Sequence, residues 1–258
     1  MDILTHTFSG FACGTVVASL HQGSLFDKVC IVLAGSIGGC LPDLDAISLW
    51  SGFDHYIGSV LSLPSGREIY FGKFWYSHHS FMHSLVGLFS FILTFSLFII
   101  LRRSDQIKIS SYHLFWLISF SSGYLLHLVE DLPTPSGSWG GINLFWPLSK
   151  YYGGTGEIWW WNNYDIFLII IAVYLINAGI ILFGKDHIKG KIKRSLPLLV
   201  FICGLFLSLY QIKSRNFDFN ASSFEDKEQI SLEKQRQILG NRLFGLMYRL
   251  DSAVPVNF

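Results

Sequence analysis

The stretch "WYSHHSFMHSLVG", residues 75–87, places His78, His79 and His83 within six positions. Imidazoles at that density suit transition-metal binding, proton transfer or both. Carboxylates and further histidines that could complete such a site lie elsewhere. Asp43 and Asp45 follow a proline in "LPDLDA", His6 lies in "THTFSG", and His127 and Asp131 stand at i and i+4 in "HLVED". The last spacing puts both side chains on one helical face. Histidine with carboxylate is the donor set of zinc, manganese and iron sites. Taken singly, each has a plainer reading. Asp43 and Asp45 could form a turn or cap a helix, Asp131 could cap the loop after it, and His6 could sit among lipid headgroups.

The elements that must position these residues are membrane helices. Of 258 residues, 51% are hydrophobic and 14% charged, with a mean hydropathy of +0.42. Soluble domains carry about 25% charged residues. Crossing the hydrocarbon layer takes about 20 residues of helix, and the runs 84–101, 165–183 and 195–212 come near this length. A fourth run, 112–129, is interrupted by "SFSSG", small residues that let helices approach closely. Two shorter glycine-dotted runs, 3–20 and 29–41, read as a tight helical hairpin. The expected fold is therefore all-α, a polytopic membrane bundle of about six helices over residues 1–212. Residues 213–258 form a tail in which "ISLEKQRQILGNRLFGLMYRL" has the spacing of an amphipathic helix, for a membrane or a partner.

Several classes are excluded or weakened by the same reading. A net charge of +1 offers no basic field for nucleic acid. The N-terminus lacks a basic region and an A-x-A site, so it reads as a retained helix rather than a removable signal peptide. Cys13, Cys30, Cys40 and Cys203 form no CxxC pair and read as buried packing thiols. In "EIWWWNNY", tryptophans precede an apolar run, as in an interfacial anchor.

Orientation follows from the basic residues. Arg102, Arg103 and Lys108 fall in one short loop, and Lys185, Lys189, Lys191, Lys193 and Arg194 in another. Both loops read as cytoplasmic. Alternation then puts His6, the Asp43/Asp45 pair, the three clustered histidines and the His127/Asp131 pair at one level, at the extracytoplasmic ends of different helices. Ionisable groups near a bilayer are costly unless paired, hydrated or metal-bound, so their convergence points to a metal site. On a continuous helix His79 and His83 would share a face, whereas His78 and His83 would diverge by roughly 140°.

The four motifs "THTFSG", "LPDLDA", "HHSFMHSL" and "HLVEDLPTPSGSWGGINLFWP" together resemble the signature of the bacterial membrane-bound metal-dependent hydrolases. These are the YdjM-like proteins, also described as LexA-binding, inner-membrane-associated hydrolases. The resemblance spans about residues 1–150. In that family the third motif usually reads H-R-G-[FIV]-T-H-S, which maps its histidines onto His78 and His83. His79 then stands where arginine is usual, Ser80 replaces glycine and Met82 replaces threonine. Ala46 occupies the place of a histidine that often follows the second aspartate. A fainter similarity links His127, Asp131 and Pro135 to the zinc-dependent phospholipase C superfamily, with Gly137 where that pattern has another histidine.

The resemblance implies a hydrolase of the inner membrane, with zinc or manganese as one or two ions. The expected substrate is a phosphoester, either a phospholipid among the surrounding membrane lipids or another phosphoester. Expected ligands are His6, Asp43, His78, His83, His127 and Asp131. Asp45 is a further ligand or the base that takes a proton from metal-bound water, and Asp131 is the other catalytic carboxylate. His79 and Glu130 are additional candidates, Glu130 pointing about 100° from Asp131 on a helix. No Gly-x-Ser-x-Gly elbow or phosphate-binding P-loop is present. Two rival readings are a divalent-metal transporter, which would want ligands at mid-membrane depth, and a membrane anchor for a DNA-binding repressor.

Overall fold

A computed structural model describes residues 3–101, 111–135, 140–156, 160, 162–183, 190–215 and 224–253. Seven long helices carry the fold: α1 (Ile3–Leu20), α2 (Leu25–Cys40), α3 (Leu85–Leu101), α4 (Ser111–Asp131), α5 (Tyr164–Phe183), α6 (Gly190–Ser214) and α7 (Phe224–Asp251). Short helical turns fill the connection between α2 and α3, including a 3₁₀ segment at Pro42–Leu49. Among the described residues there is no strand, only an isolated antiparallel bridge between Ile142 and Tyr152.

Six of these helices coincide with the six apolar runs. Among the boundary shifts, α2 begins four residues early, at Leu25. There Ser24 accepts the Asp27 amide while the Asp27 carboxylate accepts the Ser24 amide, a reciprocal cap that starts the helix one turn early. Length and composition divide the six further. α1, α5 and residues 194–214 of α6 are long and apolar enough to cross a membrane, and α2 with the 3₁₀ segment qualifies as a pair bent by 54°. α3 is apolar but has 17 residues, about 26 Å of helix against a layer of about 30 Å. α4 is long enough, but Ser119, Ser121, Ser122, His127, Glu130 and Asp131 dilute its hydropathy. Among the described residues, three helices, or four with the bent pair, are thus long and apolar enough to cross where six runs suggested six crossings.

α1, α2 and α4 form the inner layer, and glycine sets their spacing. A methyl group at Gly39 would collide with the His6 carbonyl oxygen, and one at Gly123 with the Gly35 carbonyl oxygen. The backbones of α1 and α4 therefore rest directly on α2. Around them Ala34, Leu88, Phe120, Tyr124, Leu128 and Ile142 make one buried cluster.

The tail helix packs on its own chain. Phe244 and Met247 of α7 bury against Tyr164 and Phe167 of α5, with Leu4 and Phe8 of α1 beside them. Left-handed Gly240 (φ 72°) breaks the helix before that contact. A buried polar knot adds to it: Arg215 donates to Asp165 at 2.6 Å and to Asn163 at 2.7 Å, while Gln235 of α7 donates to Asp165 at 3.0 Å.

Two expectations change, and a third falls outside the described residues. Trp160 is only 2% exposed, so it fills the interior instead of facing headgroups, while residues 159 and 161 lie outside the described residues. Cys203 is exposed on α6 and the other cysteines are half-buried, so fully buried thiols are not found. Arg102, Arg103, Lys108, Lys185 and Lys189, which carried the orientation argument, lie outside the described residues, as do the side chains of Lys191 and Lys193.

Candidate metal centre

His6 lies in the first turn of α1, Asp43 just after α2, His83 just before α3, and His127 and Asp131 in the last turns of α4. Close packing of α1, α2 and α4 brings them to one buried point. His6, His83 and His127 are fully buried, and Asp43 and Asp131 nearly so. One donor atom from each of Asp43, His83, His127 and Asp131 falls within 4.8 Å of every other.

The spacing within this group discriminates between ion pairing and cation binding. His83 Nε2 lies 3.5 Å from Asp43 Oδ1 and 3.4 Å from Asp131 Oδ2. His127 Nε2 lies 3.7 Å from Asp43 Oδ1 and 3.0 Å from Asp131 Oδ2. Charge-assisted hydrogen bonds close to about 2.7–2.9 Å. Donors arranged tetrahedrally at about 2.1 Å from one cation stand about 3.4 Å apart. Consistently, His127 Nε2, both nitrogens of His83 and Asp43 Oδ2 are buried and make no hydrogen bond. The residues present therefore fit a dication.

Outside the group the contacts are short and orienting. His127 Nδ1 donates to the Gly39 carbonyl at 2.7 Å, which turns Nε2 inward. His6 Nδ1 lies 2.7 Å from Glu130 Oε2, and Ser9 donates to the other Glu130 oxygen at 2.5 Å. His6 Nε2 faces Asp131 Oδ1 at 3.1 Å. His6 thus stands beside the four mutually close donors, with Nε2 facing the far oxygen of Asp131. Glu130, one residue round the helix, reaches the outer nitrogen of His6.

Asp45 is not among the four. It sits behind the histidines, 2.7 Å from His78 Nδ1 and 3.6 Å from His83 Nδ1. Its closest contacts are with these two histidines. The face argument for His79 also fails, because residues 78–83 are not an α-helix. His79 adopts a left-handed backbone (φ 64°), a 3₁₀ turn covers Phe81–His83, and α3 starts only at Leu85. Consequently His78, His79 and His83 all approach one another, as a second group within 4.8 Å. His78 stacks on Tyr70 with ring centroids 4.5 Å apart.

Several positioning groups carry no sequence signal of their own. The Gly39 and Gly141 carbonyls hold His127 and His79, and the Asn143 amide donates to the His79 carbonyl at 2.8 Å. Ser9 was findable, since it lies three residues after His6 and so on the same face.

Electrostatics outside the helices separates two of the histidines. Burial, with His78 and His83 adjacent, holds His79 well below its ordinary value. Burial also opposes charge on His83, but the Asp131, Asp43 and Asp45 carboxylates outweigh it and raise that imidazole well above its ordinary value.

A family model described as YdjM inner membrane protein matches residues 1–217. The chain belongs to the YdjM inner membrane protein family. The match runs past the four motifs and through α6, so the YdjM unit includes both apolar helices beyond the histidine and aspartate motifs. No curated protein and no solved structure matches the chain. Within this YdjM chain, every motif that carried the resemblance contributes a residue to the buried group or to the contacts around it.

Proposed function

We propose that this YdjM-family protein is a metal-dependent hydrolase of the inner membrane, cleaving a phosphoester, with phospholipid as the preferred class. The observation that carries this reading is the 3.0–3.7 Å spacing of four buried donor atoms on Asp43, His83, His127 and Asp131. Two imidazoles and two carboxylates suit zinc or manganese. A dication bound there lowers the pKa of water toward 7 and offsets charge developing on phosphoryl oxygens.

The chain's own residues supply the rest. Gly39 orients His127, and Asp45 braces His78 and His83. Asp131, His6 and Glu130 form a continuous line of contacts at 3.1 and 2.7 Å. Along this line a proton taken at Asp131 passes to His6 and on to Glu130, which Ser9 holds in place. Asp45 has no place in that relay. The site opens to the extracytoplasmic side of a multi-pass protein, a reading supported by the distribution of basic residues along the sequence. Gathering of the donors at helix ends favours hydrolysis over conduction, which needs ligands along a path.

Hydrolysis of a panel of phospholipid vesicles and soluble phosphodiesters by zinc-loaded protein tests the proposal. Turnover that disappears in His127→Ala with Asp131→Ala, while membrane insertion persists, is the expected result. Equal turnover in that variant refutes it.

A further inference from the structure

We infer that a second dication site exists on the outer flank of the first, formed by His78, His79 and His83. The inference rests on reading the Asp43/His83/His127/Asp131 group as a cation site. Its own evidence is separate. Each of these three histidines is at most 4% exposed, and their donor nitrogens lie within 4.8 Å of one another. Ring centroids stand 4.2 Å apart for His78 and His79, 4.7 Å for His78 and His83, and 4.8 Å for His79 and His83.

Two of the three rings are held from outside. His78 Nδ1 lies 2.7 Å from Asp45 Oδ1, and His79 Nδ1 donates to the Gly141 carbonyl at 3.1 Å. Engagement of Nδ1 by a carboxylate or backbone carbonyl is how metal-binding imidazoles are aimed, with Nε2 as the ligand. His79 reaches its position through a left-handed backbone that few residues with a side chain adopt. The Asn143 amide and the Gly141 carbonyl hold it there. Backbone strain fixed by a distant loop is the kind retained at binding sites.

His83 connects the two sites. Its Nε2 faces Asp43 and Asp131, and its Nδ1 faces Asp45, the carboxylate bonded to His78. Neither nitrogen makes a hydrogen bond although the ring is fully buried. A ring with one nitrogen toward each group is placed to bridge two cations. An all-nitrogen set selects zinc over manganese or magnesium, whereas the mixed set beside it accepts zinc or manganese.

Counting zinc ions per chain by native mass spectrometry of the full-length, detergent-solubilised protein tests this directly, with helicity checked by circular dichroism. Wild type should carry two zinc ions. His79→Asn, which removes the imidazole while tolerating the left-handed backbone, and His78→Gln should each carry one. His127→Ala should also retain one, on the histidine side. A wild type carrying a single zinc that His79→Asn and His78→Gln both keep overturns the second site but leaves the first. A folded wild type carrying none overturns both.

Discussion

A buried imidazole is useful only if its proton is placed, and here the placement is set by atoms behind the ring. His127 is turned by the Gly39 carbonyl and His6 by the Glu130 carboxylate. Removing such an outer partner typically lowers metal affinity or activity about 10–100-fold. Glu130→Gln should accordingly retain metal and lose turnover by about that factor. His6→Ala makes a sharper distinction. If His6 relays a proton, the variant keeps its metal while kcat falls by about 10²–10⁴-fold; loss of the metal would make His6 a ligand instead. Protons and a cation compete for the same nitrogens, so metal retained after dialysis should decline as pH is lowered. Rising retention at low pH would contradict ligation by histidine. The donor side chains were legible in the sequence because histidine and aspartate stand out at the ends of apolar runs. Their orienting partners were not, since a backbone carbonyl belongs to every residue type and Gly39 and Gly141 differ in no visible way from other glycines.

Helices deliver these residues, and contact between backbones decides how closely. Gly39 accepts the His127 proton and also leaves room for the His6 carbonyl, so one residue joins α1, α2 and α4 at the site. Gly39→Ala should separate α1 from α2, destabilising the protein by about 1–3 kcal/mol and weakening metal retention. Unchanged thermal denaturation and metal content would show that the helices have slack the geometry denies. Apolar run lengths predicted the six helices because helices packed against apolar neighbours or lipid require such runs. Helix 111–131 was recognisable despite its serines, since small residues fit a packed interface. The histidine turn was misjudged for a physical reason. Whether residues 78–83 continue a helix depends on hydrogen bonds to Gly141 and Asn143, about 60 residues away, and periodicity carries no record of such partners.

At the scale of the whole molecule, the inner layer α1, α2 and α4 positions most of the site, while α5 and α6 pack against α1 and α7 packs on α5. The Asp165–Arg215 pair, with Asn163 and Gln235, joins the tail helix to the membrane helices. Breaking a buried pair costs about 3–5 kcal/mol, so Arg215→Ala should release α7, read as faster proteolysis within residues 224–253. A cleavage pattern identical to wild type would mean that the apolar contact of Phe244 and Met247 suffices. The amphipathic pattern of the tail was plain in the sequence, but which surface it covers was not, because an apolar face suits lipid, partner or its own chain equally. Orientation belongs to this scale as well. Ser51→Cys, in a protein lacking its four native cysteines, should react with an impermeant maleimide in intact cells; reaction only after lysis would invert the topology. The central claim is that helix ends converge to hold a cation, and elemental analysis of purified, folded protein addresses it most directly. The account predicts at least one zinc or manganese per chain, lost on His127→Ala with Asp131→Ala down to whatever His78, His79 and His83 retain. Folded protein that is metal-free as isolated and takes up no zinc on dialysis would contradict it.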